Sequence, residues 1–174
     1  MRASFAVLVA GLTLAALPAQ ARPYLMLNVD DRGFQALDLG GIDRSQPGPV
    51  QALMIDAPLA GITVGDRLAP LAERRIEVDC AGSWWRVRSA AYVDGQEQTL
   101  GRDDEAGEWT PTQGDDVAQA VQAALCKRSY NPAMVSRYFN LGQILANFQS
   151  AHAKAAPEPQ TEQDLLARRY RNGR

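Results

Sequence analysis

The chain has 174 residues, 18 basic and 20 acidic side chains, a formal charge of −2 and 46% hydrophobic residues. That length suits one domain with a real core, and a nearly balanced charge supplies no general attraction to nucleic acid. With one histidine, two cysteines and neither glycine-rich nucleotide pattern, the sequence gives no support to nucleophilic, metal or nucleotide chemistry.

Met1 and Arg2 precede an apolar run from Ala3 to Leu17, followed by Pro18 and Ala19-Gln20-Ala21. A charged start, a short greasy core and an A-x-A site predict a secretory signal peptide over residues 1–21, cleaved near Ala21. The run is shorter than the roughly 18–20 residues that cross a bilayer, so no integral span is expected after cleavage. The expected mature chain carries 17 basic and 20 acidic residues, a formal −3, and is expected in the periplasm, secreted or at the cell surface. No cysteine follows the cleavage site to take a lipid anchor.

Tyr24 to Asp30 alternates Leu25, Leu27 and Val29 on one side, Asp31-Arg32-Gly33 supplies a turn, and Phe34 to Leu39 resumes an extended pattern. After a broken stretch around Ile42 to Arg44, Val50 to Ala57 is the next strand, ended by Pro58. Ile62 to Ala72 is a connection without a clear form.

The centre of the chain is Glu73 to Gly95. Taking Gly82-Ser83 as a two-residue turn pairs Val78 with Val87 on one face, and Asp79 with Arg86 and Glu77 with Arg88 on the other. Asp94-Gly95 then returns a short strand from Gln96 to Leu100, and residues 101–114 form a polar loop with four acidic side chains. Asp115 or Asp116 caps a helix through Lys127, with Val117, Ala120, Val121, Ala124 and Leu125 on one side and Cys126 at its rim. Two cysteines in an exported chain read as one disulfide, Cys80–Cys126, and closing that loop stabilises by about 4 kcal/mol on the chain-entropy estimate.

The order of these segments resembles the surface-adhesin protein E family. The residues that carry the likeness are Phe34-Gln-Ala-Leu-Asp38, Val50 to Asp56, Glu77-Val-Asp-Cys80 with its return Arg86-Val-Arg-Ser89, Trp109-Thr-Pro111, and a helix ending Ala124-Leu-Cys126. It spans Tyr24 to Ser129 and implies an antiparallel sheet with a C-terminal helix pinned to it by Cys80 and Cys126. It also implies a cell-envelope protein, with adhesion to host matrix proteins in the member that names the family. Residues 130–174 lie beyond the likeness.

The expected fold class is therefore α+β, about six antiparallel strands with a disulfide-tied helix and a helical extension. Residues 22–129 form the sheet-plus-helix domain. Over residues 130–154, Asn131-Pro132 starts an amphipathic helix bearing Met134, Tyr138, Leu141, Leu145 and Phe148. That helix packs back on the domain or, alternatively, associates with a second copy as a homodimer. Residues 155–174 form a Pro-containing linker and a basic tail with Arg168, Arg169, Arg171 and Arg174.

His152 stands far from any candidate nucleophile, so no catalytic residue, metal site or cofactor is expected and the chain reads as a non-enzyme. The one surface assembled from sequence is Trp84, Arg86, Arg88 and Tyr92 on one side of a strand beside Arg75, suited to an acidic glycan or a protein. The bland alternative is that the late helix covers Trp84 while the arginines only pair with cross-strand acids. The leading expectation is an exported envelope binding protein, adhesin-like. The alternative is a periplasmic accessory subunit docking through its C-terminal helix.

Overall fold

The computed structural model describes residues 21–45 and 47–155, with side chains through residue 151. The expected signal peptide, the residues after Ala155 and the His152 side chain lie outside the described residues. Ten strands and two helices follow one another: β1 (Arg22–Asp30), β2 (Gly33–Asp38), β3 (Val50–Pro58), β4 (Ile62–Val64), β5 (Arg67–Ala69), β6 (Leu71–Asp79), β7 (Trp84–Val93), β8 (Thr99–Asp103), β9 (Thr110–Pro111), α1 (Asp116–Lys127), β10 (Val135–Tyr138) and α2 (Leu141–Ala155). Eight strands make one antiparallel sheet in the order β10-β1-β2-β3-β6-β7-β8, with β9 paired to the lower half of β7, while β4 and β5 pair separately. The α+β class holds, with more strands than the sequence suggested.

The strands form where expected in β1, β2 and β3, and turn chemistry explains their ends. Asp30 accepts the N–H groups of Arg32 and Gly33, closing the β1–β2 turn. Gly33 opens β2 against the Ala57 carbonyl, where an added Cβ would sit 2.5 Å away.

The central hairpin departs from the expected register by two residues. Glu77 pairs with Arg86 and Val78 with Trp85, so the connection is the four residues Cys80 to Ser83 instead of Gly82-Ser83. Asp79 is the cause: its carboxylate captures the Ala81 N–H, an Asx turn that starts two residues earlier, and Ser83 closes the loop in the left-handed region at φ 58°. Because the shift is even, the lower halves of both strands keep the expected faces. Further up, Ile76 pairs with Val87 but Arg75 pairs with Ser89, leaving Arg88 as the extra residue of a β-bulge. Above it, every residue of β7 faces the side opposite to the one simple alternation assigns.

The sheet is covered on both faces. One face packs Leu25, Leu37, Ala52, Met54, Ile76 and Val78 against Val121, Ala124 and Leu125 of α1. The other packs Tyr24, Phe34, Ala36, Ile55, Ala57, Leu71 and Val93 against Leu141 and Ile144 of α2, with Phe148 stacked 4.8 Å from Phe34. Burying each large apolar side chain of these layers contributes about 1.5–3 kcal/mol before cavity and entropy terms.

Both α1 ends are satisfied. Asp115 accepts from the Ala118 N–H, Arg128 caps in the left-handed conformation, and the Arg44 guanidinium donates to the Leu125 carbonyl at 2.9 Å. Ala118, not Ala120, completes the buried stripe. Cys126 at the rim joins Cys80, with α-carbons 5.5 Å apart across 46 positions. The late helix is therefore fastened to the end of a middle strand.

The amphipathic helix expected over residues 130–154 is two elements. Pro132–Met134 is a single 3-10 turn capped by Asn131, and Val135–Tyr138 is a strand that pairs with β1. The apolar spacing from Met134 to Leu141 fits a helix on paper, but the open edge of β1 offers those residues a ladder of backbone hydrogen bonds. The helix begins at Leu141, where Asn140 accepts from the Gln143 N–H and Glu97 accepts from the Leu141 N–H at 2.7 Å. Its apolar side lies on the chain's own sheet. Among the described residues no helix is long and apolar enough to cross a membrane.

Candidate functional site

The α2-side face of the sheet changes character along the strands. Across strands its upper rows run Phe34–Ala57, with Leu71–Val93 in the same cluster, and Met26–Ala36–Ile55–Glu73–Ala91, and α2 packs on this end. The next row reaches Leu53–Arg75–Ser89, and the one below it Gln51–Glu77–Arg86. At the bottom Asp79 pairs with Trp84, and Trp84 with Pro111. One strand face thus serves as core at one end and as a polar surface at the other.

The Gln51–Glu77–Arg86 row is wired together. Gln51 Nε2 donates to Glu77 Oε1 at 3.3 Å, while Arg86 Nε and Nη2 approach Oε2 of the same carboxylate at 2.7 and 2.6 Å. The Arg86 guanidinium also stands 4.5 Å over the ring of Trp109, which arrives because β9 pairs with the foot of β7. Glu77 is buried, its side chain 10% accessible, and Arg86 is 26% accessible. A carboxylate this deep needs its partner, so Arg86 spends its charge inside the molecule.

Arg75 and Trp84 are different. Both are exposed, Trp84 at 42%, and neither side chain makes a hydrogen bond or ion pair among the described residues. The late helix does not cover Trp84, because α2 occupies the opposite end of the face.

Two expected members of this surface separate from it. Tyr92 pairs with Ala72 and lies on the α1-side face, in the row of Asp56, Ala72 and Gly101; the bulge at Arg88 turns it over. Arg88 is the bulge residue itself, exposed and opposite no β6 residue, so the expected Glu77–Arg88 pair does not form. The set brought together is Arg75, Trp84 and Arg86.

A groove of about 230 Å³ opens beside this row, lined among others by Arg22, Asp38, Asp43, Gln51, Leu53 and Arg75. Asp38 is nearly inaccessible and is satisfied by the N–H groups of Gly40 and Gly41 at 2.8 and 3.1 Å. Added β-carbons on those glycines would approach its carboxylate to 3.3 and 3.1 Å, so the glycine pair makes the room. Arg22, 65% accessible, reaches Asp38 at 3.6 Å. Asp43 bridges Gln51 through the backbone, and its hydrogen bonds from Ser45 hold its carboxyl below the usual range.

Just above, Glu73 is half-buried. Burial pushes its carboxyl up, and the negative charge of Glu97 adds to that, against the opposing pull of Arg22, Arg102 and Arg75. Burial likewise raises the Tyr24 hydroxyl, with Asp38 adding.

Sequence reasoning missed Trp109, Gln51, Arg22 and Asp38. The first two follow from strand register: Trp84 opposite Pro111 places Trp109 beside Arg86, and Gln51 opposite Glu77 completes the row. Arg22 and Asp38 join the groove only through sheet order, for which the sequence holds no local signal. Compared with known proteins, the chain matches no family model, no curated protein and no solved structure.

Proposed function

We propose that this chain is an exported, non-enzymatic binding module of the cell envelope, adhesin-like, which takes an acidic protein or glycan on the polar half of the α2-side sheet face. The observation that carries the reading is the division of that face. Its upper rows lie under α2, while its lower rows expose Arg75 and Trp84, whose side chains make no hydrogen bond or ion pair among the described residues, beside a fixed Arg86–Trp109 stack. An aromatic with only two side-chain torsions loses little entropy on binding, and the Arg75 guanidinium supplies bidentate donors for an acid. The Cys80–Cys126 disulfide supports an oxidising compartment, and the helix it fastens to the sheet supports the likeness to surface-adhesin protein E.

A photo-crosslinking residue placed at 75 or 84 and exposed to the native envelope tests this. Adducts are expected from both positions and not from exposed Gln119 on α1. Adducts from 119 alone, or from none of the three, refute the sheet face.

A further inference from the structure

We infer that the groove between Arg22 and Arg75 is a subsite for one acidic sugar unit of the uronic-acid kind, a carboxylate flanked by ring hydroxyls. This deepens the binding role proposed above and rests on it. The groove is concave and large enough, at about 230 Å³, for a single pyranose with room for water. Its two guanidiniums have donors to give. Arg75 has no ion-pair partner among the described residues, and Arg22, 65% accessible, keeps N–H groups of its five-donor fork beyond its 3.6 Å contact with Asp38. A carboxylate placed between them meets planar, bidentate donors that stay charged at any physiological pH.

The remaining lining selects what accompanies the acid. Asp43 is exposed and its carboxylate accepts, among the described residues, from Ser45 alone, through its hydroxyl and its N–H, so the carboxylate oxygens keep lone pairs to accept from a hydroxyl of the ligand. Gln51 uses its N–H₂ on Glu77 and keeps its carbonyl oxygen as an acceptor. Leu53, half-buried between them, supplies an apolar floor for the C–H face of a ring. A partner bearing one negative group and adjacent hydroxyls satisfies all of these at once. An acidic peptide brings carboxylates but no hydroxyl donors for Asp43 and Gln51, and its further charges meet the Asp43 carboxylate.

The test uses the full chain with its disulfide intact and calorimetric titration with a galacturonate trimer and a hyaluronate tetrasaccharide. Neutral galactotriose and a tri-glutamate peptide are the comparisons. At least one uronate is expected to bind at least about tenfold tighter than both comparisons, a difference of about 1.4 kcal/mol. Arg22→Gln/Arg75→Gln and, separately, Asp43→Asn are each expected to weaken it by about tenfold or more while the chain keeps the wild-type circular dichroism spectrum. Equal binding of galactotriose removes the acid subsite, tighter binding of tri-glutamate assigns the groove to peptides, and no uronate binding at millimolar concentration overturns the inference. Uronate binding that survives the arginine double substitution overturns it as well. Crosslinking from residue 84 reads the wider face separately, so the subsite can fail while the sheet-face reading stands.

Discussion

Arg86→Met tests whether the Gln51–Glu77–Arg86–Trp109 row is structural. The substitution keeps much of the aliphatic stem but leaves the Glu77 carboxylate, 10% accessible, with only Gln51 at 3.3 Å. Breaking a fully buried pair costs about 3–5 kcal/mol, and because Arg86 is 26% accessible the lower end or slightly less, about 2–3 kcal/mol, applies. Losing the stack on Trp109 adds about 0.5–1 kcal/mol. The expected total is about 3 kcal/mol, a large part of a small domain's net stability. Glu77→Gln alone should cost about 1 kcal/mol, because the freed guanidinium can reach water. In the Glu77→Gln background Arg86→Met loses little beyond the stack on Trp109, so the double variant should cost about 2 kcal/mol, a coupling of about 2 kcal/mol in urea unfolding at pH 7. If Arg86→Met lies within about 0.5 kcal/mol of wild type, or the two changes simply add, the row is not a unit and Arg86 is free to meet a ligand.

Three further outcomes follow from the same geometry. Replacing both cysteines by serine should lower stability by about 4 kcal/mol, read as a shifted urea midpoint, since the bridge closes a loop across 46 positions. Ile144→Ala should cost about 2–4 kcal/mol, because Ile144 is 1% accessible in the core under α2; a cost under about 0.5 kcal/mol would mean that α2 does not seal the sheet. For Glu73, burial and Glu97 raise the folded carboxyl above its ordinary 4.5, so its contribution is fully present below that pH and is lost as pH rises through the raised value. Glu73→Gln should therefore melt higher than wild type at pH 7 and match it near pH 3.5, and a variant less stable than wild type at pH 7 would contradict the assignment.

What was legible in the sequence is what local chemistry dictates. Asp115 with the Val121, Ala124 and Leu125 stripe marks α1, and Asp31-Arg32-Gly33 marks the first turn. The Cys80–Cys126 bridge needed only two cysteines and an oxidising compartment. The failures sit where two local preferences compete or where sheet order decides. At Asp79 an Asx turn beat the glycine-first turn, and at Arg88 one unpaired residue turned Tyr92 to the far face. Residues 135–138 suit a helix in isolation and become a strand because β1 presents an edge to them. The groove unites Arg22, Asp38, Asp43 and Arg75 from four separate places in the chain, and no spacing rule announces that.

The pairing of Arg22 with Tyr138 joins the first described strand to the last one, so the sheet cannot be finished in order of synthesis. From the time it forms, β1 waits with one flank unzipped until residues 135–138 have emerged. A message cut short before residue 135 leaves that flank as a template for neighbouring molecules, and its product should clump in proportion to its concentration. The last strand of this topology is thus also a cover for the first half of β1, from Arg22 to Leu25.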